Sequence, residues 1–201
     1  MNENIQYILQ KEAEAIQQIP ASNQYEKAIA LIYEQVHVKH GKVVTSGIGK
    51  AGQVAQNLAS TLSSTGTPAV YLHPSEAQHG DLGLVHKEDV FILISNSGKT
   101  RELLELCILS HNLHGKQARI VISGNAESPL AKQGDVVLET GAPEEVCPME
   151  LTPTTSITCM HVIGHVLTVL LINKTEFTKD GFLKRHHGGY LGSILKTMDL
   201  S

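Results

Sequence analysis

The sequence predicts an α/β fold: a five-stranded parallel sheet sandwiched by helices in three layers, with a helical N-terminal extension. Three observations carry this. From residue 41 onward, short β-branched runs alternate with amphipathic segments. The five runs are apolar throughout instead of alternating with polar residues, so both faces of each strand are covered, and crossover helices supply that cover. The first forty residues carry no such run and space their apolar residues helically.

Taken in order, Ile5, Ile8 and Leu9, then Ala28, Leu31, Ile32 and Val36, mark two helices broken between Pro20 and Asn23. After His40-Gly41 come a strand over 43–46, a helix over 51–64 and a strand over 69–73. The alternation continues with a strand over 90–95, a helix over 100–112, a strand over 118–123, a short helix near 127–133 and a strand over 136–139. A long helix follows over 154–173, its N-terminal boundary set at Pro153. A last amphipathic piece over 177–185 precedes His186-His187-Gly188-Gly189. With no internal repeat or linker, residues 1–201 read as one domain: a helical extension over 1–40, then an α/β core and C-terminal helices over 41–201.

Composition narrows the function. At 201 residues, 41% hydrophobic and 18% charged, the chain can bury a core without disulfides. A net charge of −4, no Trp, five Tyr and three Phe offer neither a positive field nor stacking platforms, so no nucleic-acid partner is expected. Cys107, Cys147 and Cys159 are an odd set that describes no disulfide framework. The N-terminus has no basic-then-apolar leader, and the most apolar stretch, 162–172, is interrupted by His165 and short of the ~20 residues a bilayer crossing needs. No membrane association is expected, and the cytoplasm is the expected compartment.

Two strand-to-helix loops are suited to an anion. The first, Ser46-Gly47-Ile48-Gly49-Lys50-Ala51-Gly52, combines glycines that let a ligand approach the backbone with the unpaired N–H groups of a helix start. Its glycine spacing also fits a dinucleotide fingerprint, but the next strand ends at His73-Pro74 and the nearest acid, Glu76, comes late. The second, Ser95-Asn96-Ser97-Gly98-Lys99-Thr100, sets three hydroxyls beside helix-start amides, a match for phosphate oxygens. It is not a Walker loop, because Leu93 stands where that motif needs glycine. Serines and threonines here also read as helix N-caps.

Together with Ser64-Thr65-Gly66-Thr67-Pro68, His73-Pro74-Ser75-Glu76-Ala77, His79-Gly80-Asp81-Leu82-Gly83, Cys147-Pro148, Leu151-Thr152-Pro153-Thr154 and the terminal His186 with Gly188-Gly189, these loops closely resemble the sugar-isomerase (SIS) domain of arabinose 5-phosphate isomerases over residues 25–196. The resemblance implies interconversion of D-ribulose 5-phosphate and D-arabinose 5-phosphate, feeding synthesis of the sugar acid Kdo. Family members commonly carry two CBS domains after the SIS domain; this chain stops at Ser201 without them, so control through them is not expected. Where the family has His-Pro-Gly-Gly, this sequence has His186-His187-Gly188-Gly189, and Lys99 and Arg101 make the second loop unusually basic.

An aldose–ketose isomerase needs a base that moves a proton between C1 and C2, donors facing both oxygens, and a second acid/base to open the sugar ring. The resemblance carries over Lys50, Glu102, Glu145 and His186 as catalytic candidates, with His79 a fifth group at the site. Substrate binding is expected from Ser46, Gly47, Gly49, His79, Ser95, Asn96, Ser97, Gly98 and Thr100. Glu145 is the first choice as C1/C2 base, with desolvation expected to raise its pKa. Glu102 either orients Lys50 or is itself the base, and it also reads as an ordinary first-turn acid. Lys50 stabilises the enediolate or the phosphate against an unfavourable helix dipole, and His186 is suited to ring opening. His161 and His165 share a helix face but lack the glutamate and third ligand of a zinc site, so they read as core histidines; no metal or other cofactor is expected. Cys107 and Cys159 read as packing residues and Cys147 as a neighbour of the pocket through Glu145.

The expected partners are the phosphosugar, a Kdo-pathway product acting as feedback inhibitor near Lys50, Lys99 and Arg101, and further copies of the chain. A homo-oligomer, as a dimer of dimers, would let His186 complete a neighbour's site. Alternatives are another phosphosugar isomerase, such as one acting on hexulose 6-phosphate, and a non-catalytic sugar-phosphate receptor.

Overall fold

The computed structural model describes residues 2–188. Its centre is a five-stranded, all-parallel sheet built from β1 (Val43–Gly47), β2 (Ala69–Tyr71), β3 (Val90–Ile94), β4 (Ala118–Ser123) and β5 (Val136–Glu139), in the order β2-β1-β3-β4-β5. Side chains along each strand divide between two cores. Val43, Ile92, Ile94, Ile120 and Ile122 face a layer of three helices, α2 (Gln24–Ile32), α3 (Gly49–Ser64) and α5 (Thr155–Lys174). Val44, Phe91, Leu93 and Val121 face α4 (Arg101–His114), Leu72, Ala77 and Leu130. Burying each such aliphatic side chain stabilises the sheet by about 1.5–3 kcal/mol. The remaining helices are α1 (Asn2–Gln17), packed on α5, and α6 (Lys179–Leu183).

The strand starts are fastened by charge. The buried Asp89 carboxylate accepts from Lys42 N–H at 2.9 Å, Lys42 Nζ at 2.7 Å and His86 N–H at 2.7 Å, tying the entry of β1 to that of β3. At the entry of β4, Asp135 accepts from Lys116 Nζ at 2.6 Å and Arg119 N–H at 3.0 Å.

Most departures from the sequence reading have local causes. β2 ends at Tyr71, although Leu72 N–H still bonds Thr45 O, because Pro74 has no donor to continue the ladder. The expected helix near 127–133 is one 3₁₀ turn, Ala131–Gln133, preceded by a loop in which Ser128 Oγ accepts from Ala131 N–H. The last helix starts at Lys179 because Thr178 Oγ1 accepts from Gly181 N–H and caps it. A π-helical stretch, Tyr33–Val38, and 3₁₀ turns at Glu76–His79 and Asp81–Leu84 had no signature in the periodicity.

α5 is longer than its most apolar stretch suggested. By length and composition alone its 20 residues could cross a bilayer, yet Cys159, Met160, Ile163, Leu167 and Leu171 are buried against the sheet layer. Val166, Val169 and Leu170 lie on the outer face. His165 lies there too, exposed, and only His161 is half-buried, so the reading of both as core histidines fails. Cys107 and Cys159 are buried packing residues and Cys147 is half-exposed.

Candidate active site

In the strand order, β1 and β3 are neighbours, with Gly47 opposite Ile94, and the helices that follow them leave to opposite faces. That reversal opens a crevice at the carboxyl ends of the strands, the general ligand position in open α/β sheets. The first loop forms one side of it. Gly49 has φ +59° and open space above it, as a loop meant for a close ligand approach requires. Gly47 and Gly52 serve packing instead: a Cβ on Gly52 would lie 2.8 Å from Gly47 O. Ser46 is fully buried and donates to Leu72 O at 2.7 Å, so its hydroxyl fastens β1 to the end of β2. Lys50 is exposed and makes no hydrogen bond or ion pair among the described residues.

The second loop is a compact turn. Ser95 Oγ pairs with Thr100 Oγ1 at 2.8 Å and accepts from Gly98 N–H at 3.1 Å, while Ser97 Oγ accepts from Lys99 N–H at 3.2 Å. Gly98 has φ +60°, and a Cβ there would stand 2.0 Å from Ser128 Oγ. Asn96 and Ser97 are exposed at the tip, ahead of the first turn of α4. Glu102 lies half-buried in that turn, without a hydrogen bond or ion pair among the described residues. His79 is exposed in the 3₁₀ turn after β2; its neighbour Gln78 donates to Glu105 at 2.9 Å, which also receives Arg101 Nε at 2.6 Å.

Glu145 follows β5 on the same edge of the sheet, and its position was not foreseen. Its carboxylate folds onto the start of α5, accepting from Thr154 N–H at 2.7 Å, Thr154 Oγ1 at 3.0 Å, Ser156 N–H at 3.4 Å and Ser156 Oγ. Burial alone would raise its pKa, but the bonds from Ser156 and Thr154 outweigh it and hold the carboxyl below its ordinary value. The expectation of a raised pKa is therefore corrected. Glu145 also borders an open cleft of about 730 Å³ between α1 and the 142–150 segment. In the same segment Cys147 Sγ accepts from Thr152 N–H at 3.2 Å, and backbone donors lower its thiol pKa.

His186 lies elsewhere. Its ring stacks on Phe182, with centroids 3.6 Å apart, and its Nδ1 bonds Phe182 O. α6 sits beside Phe177, whose ring covers Gly66, just beyond the C-terminal end of α3. Lys50 is at the other end of that helix, whose 16 residues rise about 24 Å. The fold thus gathers Lys50, His79, Ser95–Thr100, Glu102 and Glu145 at the carboxyl edge of the sheet and sets His186 at the opposite edge. Gly189 of the terminal motif lies outside the described residues.

Sequence reasoning missed the support from β4. Ser123 Oγ and Gly124 N–H both bond Asn96 O, at 3.2 and 3.0 Å, and a Cβ on Gly124 would meet Asn96 Oδ1 at 2.6 Å. Ser123-Gly124-Asn125 repeats at a third strand end the serine–glycine chemistry of the first two, and that repetition was the available signal.

A model of the SIS domain matches residues 37–170, two thirds of the chain and every strand of the sheet. The chain belongs to the SIS domain family. Among curated SIS relatives, the arabinose 5-phosphate isomerase KdsD of Pseudomonas aeruginosa is 43% identical over 162 residues, covering 80% of this chain and 49% of its own length. KpsF of Escherichia coli, also named arabinose 5-phosphate isomerase, is 43% identical over 176 residues, covering 88% and 52%. The chain spans about half the length of these relatives. Among solved structures, a Bacteroides fragilis protein described as a phosphosugar isomerase involved in capsule formation superposes with a TM-score of 0.93 at 59% identity, covering 94% of this chain and 99% of the other. An E. coli CFT073 protein in complex with arabinose 5-phosphate superposes with a TM-score of 0.78 at 36% identity, covering 89% and 93%.

Within this SIS domain, the carboxyl edge presents two loops suited to an anion and, among the described residues, the unpaired ammoniums of Lys50 and Lys99, the unpaired carboxylate of Glu102 and the hydrogen-bonded carboxylate of Glu145. No cluster of three metal-ligating side chains occurs among the described residues.

Proposed function

We propose that this SIS domain, acting as one unit over the whole chain in the cytoplasm, interconverts D-ribulose 5-phosphate and D-arabinose 5-phosphate through an enediolate, in support of Kdo synthesis. The observation that carries it is the pair of anion-suited loops at the neighbouring carboxyl ends of β1 and β3, with Lys50 of the first loop exposed and unpaired among the described residues. The names of the curated relatives and the arabinose 5-phosphate complex of a 36% identical neighbour support the substrate.

The phosphate is assigned to the Ser95–Thr100 turn, through its amides and hydroxyls and the exposed Asn96 and Ser97. A carboxylate removes the C2 proton of the aldose; the electron pair moves to the C1 oxygen, which Lys50 and His79 face as donors. Return of the proton to C1, with the O2 proton passing to the C1 oxygen, gives the ketose. Glu145 takes the base role by turning its carboxylate from Thr154 and Ser156 toward the substrate on a backbone that stays in place, whereas Glu102 has no bond among the described residues to exchange. Arabinose 5-phosphate closes a furanose through its 4-hydroxyl, and His186 is assigned to its opening.

Because His186 sits at the far edge of its own sheet, we assign it to the site of a second subunit in a homo-oligomer, a dimer of dimers. The exposed Val166, Val169 and Leu170 supply an apolar face for contact between copies. Feedback by a later Kdo-pathway product at the same loops rests on Lys50 and Lys99, both exposed, and on Arg101, which is paired with Glu105.

The test is incubation with ribulose, ribose and arabinose 5-phosphates and fructose 6-phosphate in deuterated water, followed by NMR. Deuterium entering only the ribulose–arabinose pair is expected; turnover of another sugar phosphate in its place overturns the substrate, and binding without turnover favours a receptor.

A further inference from the structure

Glu12 on α1 belongs to no part of the reaction described above, yet it is not an ordinary surface acid. Its neighbour two residues on, Glu14, faces outward and pairs with Lys11 and Gln10. Glu12 faces inward, where Oε1 accepts from Thr155 Oγ1 at 2.9 Å and Oε2 is buried without a partner. A half-satisfied buried carboxylate is costly to keep. Thr155 Oγ1 in turn accepts from Val146 N–H at 3.1 Å, the amide next to Glu145. One hydroxyl, donating to α1 and accepting from the 142–150 segment, therefore joins the two. Both carboxylates meet the start of α5, where the helix dipole favours them, and one turn further in the Cys159 thiol is pushed up to about 11 by burial and then by the charges of Glu12 and Glu145.

We infer that Glu12 is a positioning residue for Glu145, acting through the Thr155 hydroxyl to hold the Val146 amide and so fix the backbone from which the Glu145 carboxylate reaches the start of α5. This deepens the proposed reaction and rests on it for the role of Glu145. The link itself is independent of any substrate. It gives α1, which lies outside the matched family segment, a part in the site.

The test uses the full chain and five variants: Glu12→Ala, Glu12→Gln, Thr155→Val, Thr155→Ser and the Glu12→Ala/Thr155→Val double. Amide exchange at Val146 in the ligand-free protein is expected to speed up about tenfold in Glu12→Ala and in Thr155→Val, no further in the double, and little in Glu12→Gln or Thr155→Ser, which keep an acceptor and a hydroxyl. Exchange within α1 stays unchanged. In the isomerase assay the same two single variants lower kcat about 10- to 100-fold with KM preserved, again without addition in the double. Unchanged Val146 exchange in Glu12→Ala, or losses that add, overturns the inference. An inactive wild-type chain instead defeats the proposed reaction, and the exchange arm then decides the link alone. Thr155→Val keeps the side-chain volume, so the link is read even if Glu12→Ala does not fold.

Discussion

Lys50 is exposed and unpaired among the described residues, so replacing it tests chemistry without disturbing packing. Lys50→Ala is expected to lower kcat/KM about 10²–10³-fold while leaving thermal stability within about 0.5 kcal/mol. Glu102→Gln and Glu145→Gln separate the two carboxylates: the one lacking the C1/C2 base loses solvent deuterium exchange along with turnover, and the other keeps exchange. Glu145 also predicts a pH effect on stability. Its folded pKa is depressed, so its contribution is fully present above the unfolded value near 4.5 and is lost as pH falls through the lower folded value. Glu145→Gln should accordingly melt below wild type at neutral pH and converge with it as the pH falls below the folded value; a gap that persists into acid would contradict the sign. The residue types at the site were legible because glycines, hydroxyls and a lysine at strand ends carry their own chemistry. The state of Glu145 was not, since nothing in Glu144-Glu145-Val146 announces that a carboxylate will turn back to cap a helix nine residues on.

At the scale of elements, the strands were legible because five continuous apolar runs admit no other two-faced arrangement, and the long helices because their apolar residues recur every three or four positions. The 3₁₀ turns and the π-helical stretch escaped because a single turn of such local bonding is too short to leave a periodic pattern of apolar residues. The Gly98 turn depends instead on a neighbour distant in sequence. Gly98→Ala places a Cβ against Ser128 at positive φ and is expected to cost about 1–3 kcal/mol, read as a lower melting temperature with a raised KM. At the opposite edge, Asp89→Ala strands the Lys42 ammonium and frees two amides; a loss of about 3–5 kcal/mol is expected in denaturant unfolding. That variant should leave the crevice chemistry intact in the molecules that remain folded.

For the whole molecule, the arrangement that organises everything else is the separation of His186 from the crevice. The topology explains it: α5 starts at the carboxyl edge beside Glu145 and its 20 residues carry the chain back across the sheet before α6 begins. If a second copy brings His186 to this site, the apolar outer face of α5 is the surface that must hold the copies together. Val169→Glu with Leu170→Glu is then expected to yield monomers by sedimentation velocity and to abolish isomerisation without lowering the melting temperature of the monomer's own core. The most direct measurement is complementation. Lys50→Ala and His186→Ala chains, each expected to be strongly impaired alone, are unfolded together, refolded and assayed for conversion of arabinose 5-phosphate. A site shared between two subunits predicts recovery of about a quarter of wild-type activity, because each mixed pair contains one site free of either lesion. Activity no greater than that of the separate mutants would mean that each site is built within one chain, and would contradict it.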